Sequence, residues 1–577
     1  DRLRSRGLGD VYKRQIYFLL AICAFSSCLD EDPQYALNSE SVFLDKNTAQ
    51  LALLSCYGQL TTYDGFGQAA QELLVGASGL GWAQTNAGDQ DRYVSLNASS
   101  GCTITKMYWR SLYKTVSETT FFVENMKASP LDEDFKTGLV AQAKFLRGFA
   151  YYHLLTTFGG VPLRNTIPSL ETLSIPRASE EEIVAQIEED WKAAISGLPE
   201  TSDAGKASGL AARAYLAKLY WYLGCQGKES ASDKTYWDLA LEQCELVYGK
   251  FELEYNFSDL FVQHSNSKEA IFQLNFSTES STTGNRGSWI FAPQNSTTGI
   301  SWGRIRMSKA FHDYLKGTYP DDPRYNETVF LEWTNTSTGD KQVAYPKLIY
   351  KEGRVTHNVE IDYSICAEST NPTVEELESM DQMLVKRFVE PTGEHNGWAY
   401  YKKAIDLNST AQNSRKNLIL YRYADFLLMM ADVLNESGDT ERAIEIANEV
   451  LRRARQSGGA NAVYPKDWER NLTQDEVRNK IFWERLVELA GEQTMYCDVR
   501  RRGTEYLKKV LEIQNNHHIT RAIVENAELG GHKFKERLFN NGNLTEDFLK
   551  KNLRLPIPQE ELNTNEAISA SDQNYGY

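Results

Sequence analysis

The 577-residue sequence contains no C-x-x-C pair, no H-E-x-x-H, no G-x-S-x-G, no P-loop and no dinucleotide glycine fingerprint. These absences remove the commonest zinc, serine-hydrolase and nucleotide chemistries, and no catalytic set can be named. Positive charge is also scarce: 62 Lys and Arg stand against 78 Asp and Glu, a formal net charge of −16. A nucleic-acid partner requires clustered cations to neutralise its phosphates, so it is excluded, and an anionic membrane surface is disfavoured for the same reason. No stretch has the ~20 consecutive apolar residues that cross a bilayer. The eight cysteines are scattered without metal-ligand spacing, so neither a metal nor another cofactor is expected. Whether an oxidising compartment pairs any of them stays open. The His517-His518 doublet stands alone and reads as solvated surface.

What is present begins with a leader. Arg2, Arg4, Arg6, Lys13 and Arg14 precede an apolar run from Ile16 to Phe25, and Ser26-Ser27 then lead into Cys28. A basic segment, an apolar core too short to span and small residues before a cysteine predict a lipoprotein signal over residues 1–27, with Cys28 as the lipid-attachment site. An ordinary signal peptide with an incidental cysteine is the alternative, because Phe25 stands where such signals most often carry Leu. The sequence begins without Met, and residues 1–15 are not relied on as the native start.

Beyond the leader the first half reads as paired helices. Tyr108, Trp109, Leu112, Tyr113 and Val116 recur at helical spacing, as do Phe145, Phe149, Tyr152 and Leu155. The second of these helices should stop at Gly159-Gly160, with Pro162 just beyond. Ser179 and Glu182 fit a capping box for the helix carrying Ile183, Ile187, Trp191 and Ile195. Ala211 to Leu223 and Trp237 to Val247 continue the series. Bulky aromatics facing small residues across short turns predict an all-α, tetratricopeptide-like helical-pair scaffold, degenerate because the strict repeat signature is absent. Helical periodicity is read again over Leu418–Leu434, Arg442–Arg455 and Val477–Ala490. The scaffold is therefore placed at about 40–255 and 417–505, around a loop-rich region at about 256–416, with Pro556 and Pro558 stiffening a C-terminal strap at about 550–577. Arg147 on an apolar face should meet an acid, while Glu484, Arg485 and Glu488 should tie neighbouring helices. Trp109, Trp191, Trp221, Trp237 and Trp483 are assigned to the core.

Two polar loops carry aromatics. One runs from Trp82 through Asn86 and Asp91 to Tyr93, and the other holds Trp289 with Trp302 and Arg304. Sugar rings stack their C–H faces on Trp and Tyr while their hydroxyls need Asn, Asp and Arg at the rim, so Trp82, Tyr93, Trp289, Trp302, Asn86, Asp91 and Arg304 are the candidate ligand residues. For any one of them, covering a loop against the helices is the competing role. Acidic pairs such as Asp89/Asp91 or Asp321/Asp322 are too common here to mark a glycosidase.

Several blocks, in order, resemble the SusD/RagB family of Bacteroidetes nutrient-binding lipoproteins. They are Ala143 to Tyr152 running into Phe158-Gly159-Gly160-Val161-Pro162-Leu163, Asp190-Trp191-Lys192-Ala193-Ala194, Asp321-Asp322-Pro323-Arg324, Tyr421 to Met429, Trp483 to Ala490, Asp498-Val499-Arg500-Arg501, Leu555-Pro556-Ile557-Pro558 and Gln573 to Tyr577. Gln493, Met495 and Tyr575 depart from the family pattern. The resemblance implies a single SusD-like domain over 28–577, anchored through lipid at the outer membrane and facing outward. Asp30-Glu31-Asp32 resembles the surface-export signal of such lipoproteins. It further implies a glycan ligand and a SusC-like TonB-dependent transporter as partner. A peptide or another nutrient on the same scaffold is the alternative, and a glycoside hydrolase the less favoured one.

Overall fold

The computed structural model describes residues 42–577 except 84–87, 263–265, 278–282, 345–347, 353–354, 360–397, 410, 518–519, 522–523 and 525–535. Cys28, Asn86 and Cys366 therefore lie outside the described residues. The first helices are α1 (Lys46–Leu60), α2 (Ala69–Gly76), α3 (Thr103–Ala128), α4 (Glu133–Phe158), α5 (Glu180–Gly197), α6 (Gly209–Cys225) and α7 (Tyr236–Val247). From α3 to α7 each helix packs on the next, as pairs joined through short turns must. The boundaries are chemical. Gly159 ends α4 at a positive φ of 81°, Ser179 and Glu182 close the predicted capping box on α5, and Thr235 with Asp238 builds another on α7.

Aromatics fill the seams against small residues. Gly148 on α4 lets Trp191 of α5 lie against the backbone, where an added Cβ would sit 2.7 Å from the indole nitrogen. That nitrogen donates to the Phe145 carbonyl at 3.2 Å. Beside it, Arg147 and Asp190 form a two-pronged buried pair at 2.7 and 2.8 Å. Trp109, Trp191 and Trp221 are buried, and Trp237 and Trp483 are half-buried against the same core.

The middle of the chain supplies α8 (Lys309–Thr318) and short strands, among them β1 (Gly81–Trp82), β2 (Ala270–Leu274) and β3 (Arg306–Met307). These join as antiparallel two-stranded pairs rather than one sheet. The scaffold resumes with α9 (Tyr423–Glu436), α10 (Thr440–Gln456), α11 (Gln474–Glu488) and α12 (Thr504–Asn516). One expectation fails here: the helix read from Leu418 starts only at Tyr423. Residues Leu418–Arg422 form a strand against β2, because their partner, some 150 residues upstream, offers a ladder that local periodicity cannot reveal. Among the described residues no helix is long and apolar enough to cross a membrane.

A buried ionic network locks the two scaffold parts together. Glu488 of α11 accepts from Arg422 at 2.6 Å, from Arg453 of α10 at 2.5 Å and from Arg324 at 2.7 Å. Glu269 bridges Arg422 and Arg453 from the start of β2. Arg485 pairs with Asp425 and Asp498, and Lys218 of α6 reaches Asp425 at 2.6 Å. The acids read as helix ties thus connect elements far apart in sequence.

Burial alone would raise the Glu488 carboxyl. Arg453, Arg422, Arg324 and Lys403 outweigh it and hold the group well below the usual carboxylate range. Glu492, Asp425 and Asp432 are lowered in the same way by neighbouring cations. A depressed folded value means that the unfolded chain takes up protons first, so these groups stabilise above the ordinary values of 4.5 for Glu and 3.8 for Asp. Their contribution should be lost as pH falls through the folded values. Glu484, pushed up to about 7 by burial and by the carboxylates of Asp322 and Glu488, has the opposite sign and gives up stability between about 4.5 and 7. Urea titrations across pH should therefore show a steep acid limb opposed by one shallow slope. A flat acid limb would contradict the ionised network.

Among the described residues the cysteines are structural. Cys56, Cys102, Cys225 and Cys244 are buried free thiols and Cys497 is a half-buried one. Burial pushes Cys56 and Cys225 up to about 12, which leaves them unreactive near neutrality. His517 corrects the expectation of a solvated doublet: it is buried, bonded to Asp313 at 2.9 Å and to Thr520 at 3.0 Å.

Candidate functional site

The site is assembled where three distant segments are drawn together. Asn285 is buried and acts as the pin: it accepts from Gln71 of α2 at 3.0 Å and donates to the Lys416 carbonyl at 2.8 Å. Backbone bonds run from Asn285 to Ser414 and from Arg286 to the Gly67 carbonyl. Gly67 must be glycine for this, since a Cβ would meet the Gly284, Thr61 and Thr62 carbonyl oxygens, each at 2.7 Å. The short helix Gly287–Phe291 follows and presents Trp289. Its continuation folds back so that the Trp302 amide donates to the Trp289 carbonyl at 3.1 Å. Gly303, at φ 52°, makes the turn beside Trp302, and a Cβ there would run into the Tyr400 ring at 2.5 Å.

The sequence-derived candidates divide sharply. Trp302 is 53% exposed, Trp289 is half-buried, and Arg304 lies over the Trp289 ring at 4.5 Å. Trp82 and Tyr93 do not have the exposure expected of them, at 3% and 1%. Trp82 sits in β1 and stacks on Trp398 at 3.9 Å and 16° between planes, and both rings are buried. Tyr93 lies in the short helix Asp89–Val94 and donates to the buried Glu72 carboxylate at 2.9 Å. Burial, reinforced by that carboxylate, pushes its phenol well above the ordinary value and keeps it a donor. Asp91 is ion-paired with Arg537, and nothing described places it at the platform.

Sequence reasoning missed the residues that hold the platform. Glu72 is fully buried and accepts from Gln68 (3.2 Å), Gln90 (2.8 Å), Tyr93 and Arg304 (3.1 Å). Tyr93 therefore supports the Arg304–Trp289 stack through the carboxylate it shares with Arg304. Arg286 lies over Tyr63 at 3.4 Å and within 5.3 Å of the Trp289 ring centre. Its guanidinium donates to Gln68 at 2.6 Å and, at 3.4 Å, to Gln412 and Asn413. Asn413 in turn donates to the Tyr63 hydroxyl at 2.6 Å. Residues near 63, 286, 302 and 412 share no local pattern. The nearest signal was the Gly65-Phe66-Gly67 turn, where backbone has to approach backbone.

The arrangement offers the exposed Trp302 ring beside Trp289, with guanidinium groups lying over the Trp289 and Tyr63 rings and amide groups next to them. Its carboxylate is enclosed and committed to four donors, a poor position for acid/base work. Among the described residues no group of three or more His, Cys, Asp or Glu is placed to hold a metal ion.

Comparison with known proteins gives the family context. The pattern of the SusD family (SusD_RagB) matches residues 268–577, more than half of the chain. A second pattern, described as starch-binding and associating with the outer membrane, matches residues 71–221. The SusD-like protein P2 of Formosa agariphila is 26% identical over 515 residues, covering 85% of this chain and 90% of that protein. A SusD homolog from Bacteroides thetaiotaomicron shares the fold at a TM-score of 0.69 and 18% identity, over 93% of this chain and 98% of its own. A laminarin-binding SusD-like protein superposes at a TM-score of 0.60 and 20% identity, over 92% and 99%.

Proposed function

Because the chain belongs to the SusD family, we propose that it is an outer-membrane binding protein that captures a carbohydrate on the Trp289–Trp302 platform, without cleaving it. It would be anchored through Cys28 at the cell surface and would pass its ligand to a SusC-like TonB-dependent transporter. The observation that carries the ligand reading is Trp302, a large ring held out to solvent by a built turn rather than turned into the core. Exposing such a ring is unfavourable unless something covers it, and the C–H face of a sugar is a suitable cover. The outer-membrane description of the matched pattern and the laminarin-binding relative support the same reading. Tyr93 enters as a support of the platform rather than as a contact, and Trp82 as a buried ring stacked on Trp398.

The decisive measurement is binding of the mature chain to a glycan array, followed by calorimetry and an assay for product release. Binding without products is expected, and it should vary little between about pH 6 and 8, since no bond is broken and no proton moves. Binding of peptides in place of glycans, or accumulating products, would overturn the reading. Cys28→Ala should release the protein from the membrane fraction, and the wild type should co-purify with a barrel protein in mild detergent.

A further inference from the structure

Arg286 is a half-buried cation within the platform. Among the described residues no carboxylate pairs with it, and its hydrogen-bond partners are the neutral amide oxygens of Gln68, Gln412 and Asn413, two of them at 3.4 Å. Several other inward-facing guanidinium groups in this acidic protein are neutralised, Arg147 by Asp190, Arg324 by Asp322 and Glu484, Arg502 by Asp432 and Glu436, whereas half-buried Arg177 is met by backbone carbonyls and the Asn574 amide and Arg213 by Gln243. Arg500 also meets no carboxylate, but it is buried and satisfied by the carbonyls of Asn552, Ala77 and Tyr496. Arg304, next to Arg286 over the same tryptophan, has its charge cancelled by Glu72.

Resting on the carbohydrate reading above, we propose that the platform is built for a negatively charged glycan, with Arg286 recognising a uronate carboxylate or a sulfate ester while Trp302 and Trp289 stack on the sugar rings. The amides and the Tyr63 face orient the guanidinium without neutralising it, which is how a protein holds a charge ready for a partner rather than spending it on its own fold. Partial burial strengthens the pairing, because a charge removed from water interacts through a lower effective dielectric. A net charge of −16 repels anions at long range, so recognition has to come from a local cation of this kind. Arginine presents five N–H donors in a planar fork that matches a carboxylate or a sulfate in two-point contact.

The test compares glycans that differ in charge alone: tetragalacturonate against its methyl ester, and a sulfated carrageenan tetrasaccharide against its desulfated form. The wild-type chain should bind the charged member of at least one pair about tenfold or more tightly than its neutral counterpart, and that preference should shrink in ~0.5 M salt. Which pair shows it distinguishes carboxylate from sulfate. Arg286→Gln should abolish the preference, and Arg286→Lys should keep part of it, with thermal midpoints reporting that both variants fold. Equal affinity within both pairs, or a preference unchanged in Arg286→Gln, would overturn the proposal. Neutral glycans bound in a Trp302-dependent way would then leave the carbohydrate reading standing. Should either variant fail to fold, the salt dependence of the wild-type preference decides the matter.

Discussion

Glu488→Ala should lower the unfolding free energy by about 3–5 kcal/mol, the cost of breaking a buried ion pair from one side. The carboxylate is fully buried and faces three guanidinium groups, those of Arg324, Arg422 and Arg453. Removing it leaves Glu269, Glu484, Asp322 and Glu492 to neutralise all three, in a space that water does not readily enter. Glu488→Gln should fall short of the full loss, because an amide oxygen still accepts hydrogen bonds but carries no charge. The measurement is urea unfolding of both variants beside the wild type. A loss below about 1 kcal/mol for Glu488→Ala would mean that the arginines find water or other partners, and that the network does not hold α10, α11 and β2 together.

The second large effect is a crossing of two tryptophans. Trp302→Ala should cost about 2 kcal/mol or more of ligand affinity, as truncation of a ring at the centre of a contact does, with little change in stability. Trp82→Ala should do the reverse. It empties a stack with Trp398 at 3.9 Å, and deleting a buried tryptophan costs about 3–5 kcal/mol of stability. Affinity per folded molecule should then stay near that of the wild type. Affinity and thermal stability measured together on both variants check this. If Trp302→Ala unfolds the chain and leaves affinity intact, the ring is packing and the ligand site lies elsewhere.

The contrast between these two residues shows how far the sequence could be read. Helix ends written in local chemistry were legible: Gly159 after α4 and the Ser179–Glu182 box before α5 stand where the residues placed them. Arg147 could be assigned an acid because a charge on an apolar face requires one, although its identity as Asp190 came only with the fold. Trp82 and Trp302 sit in loops of similar composition, and nothing local separates them. Their fates depend on Trp398, more than 300 residues from Trp82, and on the turn at Gly303. The strand at Leu418–Arg422 eluded periodicity for the same reason, since its ladder belongs to β2. At the candidate site only Trp289, Trp302 and Arg304 could be picked from composition. Tyr63, Glu72 and Arg286 become visible once Asn285 has brought their segments together.

The C-terminal strap carries a consequence for the order of events during synthesis. Leu555 donates to the Thr157 carbonyl at 2.8 Å, Arg554 bridges Glu180 and Tyr222, and Asn574 meets both Arg177 and the Phe158 carbonyl. The end of α4 and the start of α5 thus emerge from the ribosome some 400 residues before the segment that clasps them. Until that segment arrives, the first helix pairs must wait with an unsealed edge, exposed to misassociation as long-range contacts always are. The clasp therefore works as a completion mark, because only a chain translated to Asn574 can close the scaffold that its first third began.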